Sequence, residues 1–235
     1  MNKNIRSITL TRYDYIIYPD QDEELDSQGY PNHYTEFDPS GHPLKEIAYN
    51  AHGEFEEMFE YGYNEQGRLI REAYYPSENE LAEEKTFARN EAGLILEGLK
   101  HYQDGSVDTL AYEYNEAGQV TKITTTTDEG EIDQVETFVW ENDQLIDHEV
   151  VDGQGDAIEG PDFSNVKSNQ TRVTRNDNEQ VVLEEELNDD GEVVMTISRT
   201  YDEGGRASEV DVFVDGQGRA VTRHYFLRYT YTFYE

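Results

Sequence analysis

Six histidines stand at positions 33, 42, 52, 101, 148 and 224, among 52 Asp and Glu residues. These are the residues that could do acid–base or metal chemistry. Catalysis needs them to converge, with a base within reach of a nucleophile or with several ligands around one point. The spacings do not provide this. No G-x-S-x-G, no glycine-rich phosphate loop and no H-E-x-x-H occurs in the chain. His42 and His52 straddle successive turns that fall on opposite edges of the sheet derived below. Carboxylates are abundant enough that some pair lies at glycosidase distance by chance, so proximity alone argues for nothing. The run Asp20, Asp22, Glu23, Glu24 and Asp26 alternates oxygen ligands but lacks the Gly and the distal Glu of a calcium loop. VDGQGDAIEG, residues 151–160, has a similar composition and fits a turn instead. With no cysteine, thiolate ligands, disulfides and a Cys nucleophile are excluded. The expectation is a protein that is not an enzyme and holds no metal or cofactor.

What remains is charge. The 18 Lys and Arg leave a formal net charge of −34. That field repels nucleic acid and anionic membranes, which are bound through Lys and Arg. It attracts a basic protein and speeds its docking at low salt. No secretory signal is visible at the N-terminus, and no stretch approaches the roughly 20 apolar residues of a membrane helix. A cytoplasmic location is expected. Leu, Ile, Val and Phe total 50 of 235 residues, close to the border of disorder, and 18 Tyr supply apolar area beyond that count.

The elements that must carry this charge repeat. YGYNEQGRL at residues 61–69 returns as YEYNEAGQV at residues 112–120. With Gly67 as marker, equivalent positions are Gly29, Gly41, Gly53, Asn79, Gly93, Gly105, Gly118, Gly130, Asp143, Gly155, Glu179, Gly191, Gly205 and Gly218. Asp or Asn usually stands three positions before the marker, as at Asn64, Asn90, Asn115 and Asp202. Asx opening and Gly closing is the sign of a type I turn with a left-handed residue, so each marker closes a hairpin. If Asn64 faces Arg68, then Tyr63 lies opposite Leu69 and Tyr61 opposite Arg71. Tyr63, Gly67 and Leu69, Tyr114, Gly118 and Val120, and Tyr201 with Gly205 are the structural positions of the repeat. Counting parity between turns puts both ends of each strand on one face. Three intervals of 13, after Gly105, Gly130 and Gly205, break that parity and call for β-bulges in the strands that follow.

The predicted fold is all-β: an antiparallel meander of about 16 strands built from hairpin repeats of about 25 residues, forming a curled single sheet or an incomplete barrel. ENELAEEKTF, residues 78–87, has helical composition but fits the hairpin pattern, and strand is the reading taken. The whole chain, 1–235, reads as one repeat domain, with repeats over about 25–222, an insertion at about 157–171 and an aromatic capping strand at 223–235. In HYFLRYTYTFYE, Tyr225, Leu227, Tyr229, Tyr231 and Phe233 share one face, with Phe226 and Tyr234 on the other. Such a strand is expected to be tucked into the sheet or covered by the N-terminal segment.

The unit Y-x-Y-[ND]-E-x-G-R-L, seen best in YGYNEQGRL, YEYNEAGQV, RTYDEGGRA and FVDGQGRAV, resembles the YD repeat of RHS proteins. The resemblance implies a spiralling β-sheet and an association with toxins. It departs from large members in length, in having no appended toxin domain, and in having Gly-Arg after the turn only at Gly67, Gly205 and Gly218. Encapsulation is therefore not carried over.

The expected function is a non-catalytic protein-binding module, most concretely an immunity or neutralising partner of a basic toxin or effector. The alternative is a cell-surface or scaffold repeat protein that binds carbohydrate or another ligand through a tyrosine-lined face. Candidate partner-binding residues are Asp162, Phe163, Asn165 and Lys167 of the insertion, where repeat proteins tend to place function, and Glu54, Glu80 and Glu131 beside the turns.

Overall fold

The computed structural model describes residues 4–16, 24–25, 28–158, 170–188, 190–215 and 222–235. Among these it is all-β, with seventeen strands, no helix and only antiparallel pairing. In chain order the strands are β1 (Ile5–Ile16), β2 (Glu24–Leu25), β3 (Tyr30–Phe37), β4 (Pro43–Tyr49), β5 (Phe55–Tyr63), β6 (Leu69–Tyr75), β7 (Glu83–Arg89), β8 (Ile95–Tyr102) and β9 (Val107–Tyr114). They continue as β10 (Val120–Thr126), β11 (Ile132–Glu141), β12 (Gln144–Asp152), β13 (Gln170–Arg175), β14 (Val181–Leu187), β15 (Val193–Tyr201), β16 (Ala207–Val214) and β17 (Arg223–Phe233). Residues 78–87 are turn and strand, as the repeat requires.

The chain forms two compact units, residues 1–56 with 166–235, and residues 57–165. In the second unit each strand from β5 to β12 pairs with the next in sequence. In the first unit the order is β4-β3-β1-β17-β16-β15-β14-β13. The aromatic strand β17 is thus not an edge. β1 lies along it from Ile5 opposite Phe233 to Asp14 opposite Tyr225. Arg12 sits 4.1 Å over the Tyr225 ring, and the Ser7 and Thr232 hydroxyls meet at 2.6 Å.

Twelve of the fifteen marker positions have positive φ, including the non-glycines Asp143 (62°) and Glu179 (62°); Gly29 and Asn79 do not, against the expectation of equivalent turns. At the quoted repeat, Gly67 N–H donates to the Asn64 carbonyl at 2.9 Å and Asn64 N–H to the Arg68 carbonyl at 3.0 Å. Asn64 Oδ1 accepts from the N–H groups of Gln66 and Arg68, both at 3.0 Å. Asx opens the turn because its side chain supplies the acceptor that these two amides otherwise lack. Asn142 and Asp143, both with positive φ, replace this loop with a two-residue turn of the I′ kind.

The register differs from the sequence reading in one systematic way. Tyr63 faces Leu69, but Tyr61 faces Glu72 rather than Arg71, because Ile70 is an extra residue. The same extra residue stands three positions after the marker at Leu44, Leu96, Thr121, Asp133, Ile146, Val182, Val194 and Ser208. The bulges expected in β11 and β16 are therefore present at Asp133 and Ser208, but β9 has none, and its pairing with β8 is regular. Bulges belong to the hairpin and not to odd intervals. One consequence is that Tyr75 pairs with Met58 on the face of Ala73, opposite to the face of Tyr61 and Tyr63. Burial is shallow and divided. Met58 and Ala73 on one face, and Leu110 on the other, are the buried hydrophobics of the second unit; Val210 and Val212 are those of the first.

Candidate functional site

The turns of the second unit alternate between two edges. One edge gathers the turns near Gly67, Gly93, Gly118 and Asp143; the other gathers those at Ser77–Glu80 and near Gly105, Gly130 and Gly155. Successive turns on an edge are two strands apart, about 10 Å. The edges differ in chemistry. The second carries Glu78, Glu80, Asp104, Asp128, Glu129, Glu131, Asp152 and Asp156, and its turn residues include no Lys or Arg. All but Asp152 are exposed. This acidic rim is the candidate site.

Two features set this rim apart. Four of the six cations of this unit are paired along the strands: Arg71 with Glu84 at 2.6 Å, Lys100 with Glu83 at 2.8 Å, Lys122 with Glu113 at 3.3 Å, and Lys85 with Glu72 at 3.4 Å. Two of the rim carboxylates, Asp104 and Asp152, are meanwhile held by groups of their own turns. Asp104 Oδ1 accepts from the Ser106 hydroxyl at 2.6 Å and its N–H at 2.9 Å, which lowers the Asp104 pKa. Asp152 Oδ1 accepts from the N–H groups of Gln154 and Asp156 at 2.9 Å, so VDGQGDAIEG is a turn of the repeat as far as residue 158.

Of the residues expected to bind a partner, Glu80 and Glu131 lie on this rim, both exposed, with the turn near Gly105 between them. Gln103 of that turn donates to the Glu80 carboxylate at 3.3 Å. Glu54, also exposed, belongs to the first unit, where its carboxylate accepts from Asn50 Nδ2 at 3.0 Å. Asp162, Phe163, Asn165 and Lys167 lie outside the described residues, as do Gly218 and most of the run from Asp20 to Asp26.

The opposite edge is stitched together. The Tyr114 hydroxyl accepts from Ile95 N–H at 2.9 Å and donates to the Ile95 carbonyl at 3.1 Å. Trp140 Nε1 donates to the Val120 carbonyl at 2.7 Å, and Arg89 Nε to the Leu69 carbonyl at 2.9 Å. In the first unit Tyr201 donates to Val181 and Tyr231 to Ala207, both at 2.7 Å. Each acceptor lies two positions after the marker of an earlier hairpin. The sequence reading assigned the tyrosines a packing role and missed this polar one. Its signal was present: Tyr, Arg or Trp, all N–H or O–H donors, recurs at this place about every 25 residues.

Three of the six histidines pair with a carboxylate: His42 with Asp38 at 2.9 Å, His148 with Glu136 at 3.2 Å and His224 with Asp211 at 3.1 Å. The last pair is the densest. Tyr15 stacks on His224 with centroids 3.7 Å apart and donates to Asp211 Oδ2 at 2.9 Å, which ties β1 to β16 and β17. Among the described residues no group of three or more His, Asp or Glu has the arrangement of a metal site.

No family model matches the chain, and no curated protein does. Among solved structures it is similar to a porin-like protein from Bacteroides uniformis, at 13% identity and a TM-score of 0.42, over 97% of this chain and 98% of that one. It is also similar to TcdB2-TccC3 without its hypervariable C-terminal region, at 11% identity and a TM-score of 0.36, over 86% of this chain but 12% of that one. Nothing about what the chain binds or does follows from likenesses of this size.

Proposed function

We propose that this protein is a non-catalytic module that docks a basic protein through the acidic rim of its second unit, most concretely as a neutralising partner of a basic toxin or effector. The observation that carries the proposal is the asymmetry of the two edges: eight carboxylates without a cation on one, against Glu65, Glu91, Glu116, Glu141 and Asp143 with Arg68 on the other. Net charge alone would give solubility. A charge set concentrated on one row of turns gives direction to an encounter and raises its rate. The toxin-directed version rests on the resemblance to the YD repeat and is analogy.

The test compares two variants of equal net charge. One changes Glu80, Glu129 and Glu131 to Gln and Asp104 to Asn; the other changes Glu65, Glu91 and Glu116 to Gln and Asp143 to Asn. Capture of basic nucleases is measured at low and moderate salt. Loss of capture in the rim variant, with retention in the other, is the expected result. No capture by the unaltered chain at either salt, or equal loss in both variants, overturns the proposal.

A further inference from the structure

The first unit has a cavity of about 370 Å³ where the start of β1, the β3–β4 turn and the β15–β16 turn meet. That volume lies at the small end of the range that takes small-molecule ligands. Ile5 and Phe37 supply apolar lining; Asn4, Ser40 and Arg206 supply polar lining. The walls are fixed without a ligand. Asn4 Nδ2 donates to the Pro39 carbonyl at 2.6 Å, and Tyr234 N–H to the Asn4 carbonyl at 3.1 Å. The Tyr234 hydroxyl donates to the Phe37 carbonyl. Arg206 is held on both sides, by Asp202 through Nε and Nη2, each at 2.7 Å, and by the Phe233 ring 4.7 Å away.

These contacts leave three polar groups over. Arg206 Nη1, the Ser40 hydroxyl and Asn4 Oδ1 have no hydrogen-bond partner among the described residues. The set is mixed: Nη1 donates, the hydroxyl does either, and the amide oxygen only accepts. An anion would use the first two but meet Asn4 Oδ1 lone pair to lone pair, and the Arg206 charge is already balanced by Asp202. A cation would face the guanidinium. A neutral molecule with donors and acceptors on a partly apolar body satisfies all three groups and covers Ile5 and Phe37.

We propose that this cavity binds a small neutral ligand of that kind. Free saccharides and nucleosides are the two sources of such chemistry. The proposal is independent of the acidic rim, which lies in the other unit.

Saturation-transfer NMR on the full chain tests it, with a panel of neutral methyl glycosides and nucleosides as probes, benzoate as the anion and benzylamine as the cation. At least one neutral probe is expected to bind at about millimolar Kd, and the class that binds identifies the source. Ser40→Trp, at an exposed turn position, fills the cavity and reduces binding at least about ten-fold, with an unchanged melting curve. Arg206→Lys keeps the charge opposite Asp202 but removes Nη1, and weakens binding several-fold. Glu80→Gln leaves it unchanged. Silence from every neutral probe, tighter binding of benzoate or benzylamine, or neutral binding that survives Ser40→Trp overturns the proposal.

Discussion

Replacing Tyr114 by Phe removes one oxygen and leaves the ring, so it isolates the bridge between hairpins. The Tyr114 hydroxyl makes two hydrogen bonds to one residue, accepting from Ile95 N–H and donating to its carbonyl. The bulge at Leu96 interrupts the ladder beside that residue. A neutral hydrogen bond contributes about 0.5–1.5 kcal/mol net. Ile95 is half-buried, so water satisfies part of what the phenol gives up. The expected loss is about 1–2 kcal/mol. At about 2–4 °C per kcal/mol for a chain of this size, Tm falls by about 2–8 °C. Urea unfolding gives the free energy, and hydrogen exchange at the Ile95 amide reads the bridge directly. The control is Tyr112→Phe. The Tyr112 hydroxyl has no partner among the described residues, and burial, then the nearby Tyr114, pushes its pKa up to about 12. Tyr112 is half-buried, so removing its unbonded hydroxyl costs little. The reasoning is refuted if Tyr114→Phe loses no more stability than Tyr112→Phe, or if exchange at Ile95 does not accelerate.

Asn64→Ala removes the acceptor of two turn amides and is expected to lower stability by about 1 kcal/mol, read from a thermal melt. Glu179→Gly relieves a non-glycine held at φ 62° and is expected to raise stability by about 1 kcal/mol; the Glu179 carbonyl that accepts from Arg175 is kept, so a fall in Tm would count against a left-handed Glu179. Tyr112 sets an alkaline limit. Its folded pKa of about 12 lies above the ordinary value of 10, so between those values the folded chain keeps a proton that the unfolded chain has lost. Stability falls as pH rises through that window, and Tyr112→Phe is expected to flatten the fall in urea titrations at pH values between the two.

The turns were legible because each imposes a local chemical demand. Gly67 must adopt positive φ and Asn64 must accept two amides, so residue type and spacing announce both. The all-β class followed from counting them. The faces were less legible. Parity between Leu69 and Tyr75 assumes an unbroken pleat, and Ile70 breaks it. Nothing about an isoleucine marks it as a bulge, since the extra residue arises from the geometry of the closing loop; only the constant offset from the marker could have revealed it. Pairing of β1 with both β17 and β3 was half visible. The two aromatic faces of β17 demanded a neighbour, and the alternation of Ile8 and Leu10 in β1 could supply one, but long-range partners leave no local trace. The cavity was not legible at all, because Asn4, Ser40 and Arg206 come from three distant segments.

The bridges and the acidic rim together explain why the unit of repetition is two hairpin turns and not one. Side-chain donors to earlier hairpins recur on one edge of the second unit, at Arg89, Tyr114 and Trp140. The corresponding places before the rim turns hold Tyr75, His101, Thr126 and Val151. Of these, Tyr75 donates instead to Glu60 across its own hairpin, at 3.2 Å. The stitched edge must keep its residues to keep its register; the rim edge is free to vary in composition. Selection for a basic partner can therefore act on the rim at little expense in stability. Surface substitutions away from specific contacts usually change stability by within about 0.5 kcal/mol. Glu131→Gln is expected to stay within that margin in urea unfolding, or to stabilise slightly by easing repulsion from Asp128 and Glu129. A loss above about 1 kcal/mol would show that the rim carboxylates hold the fold, and would remove the division of labour on which the docking proposal stands.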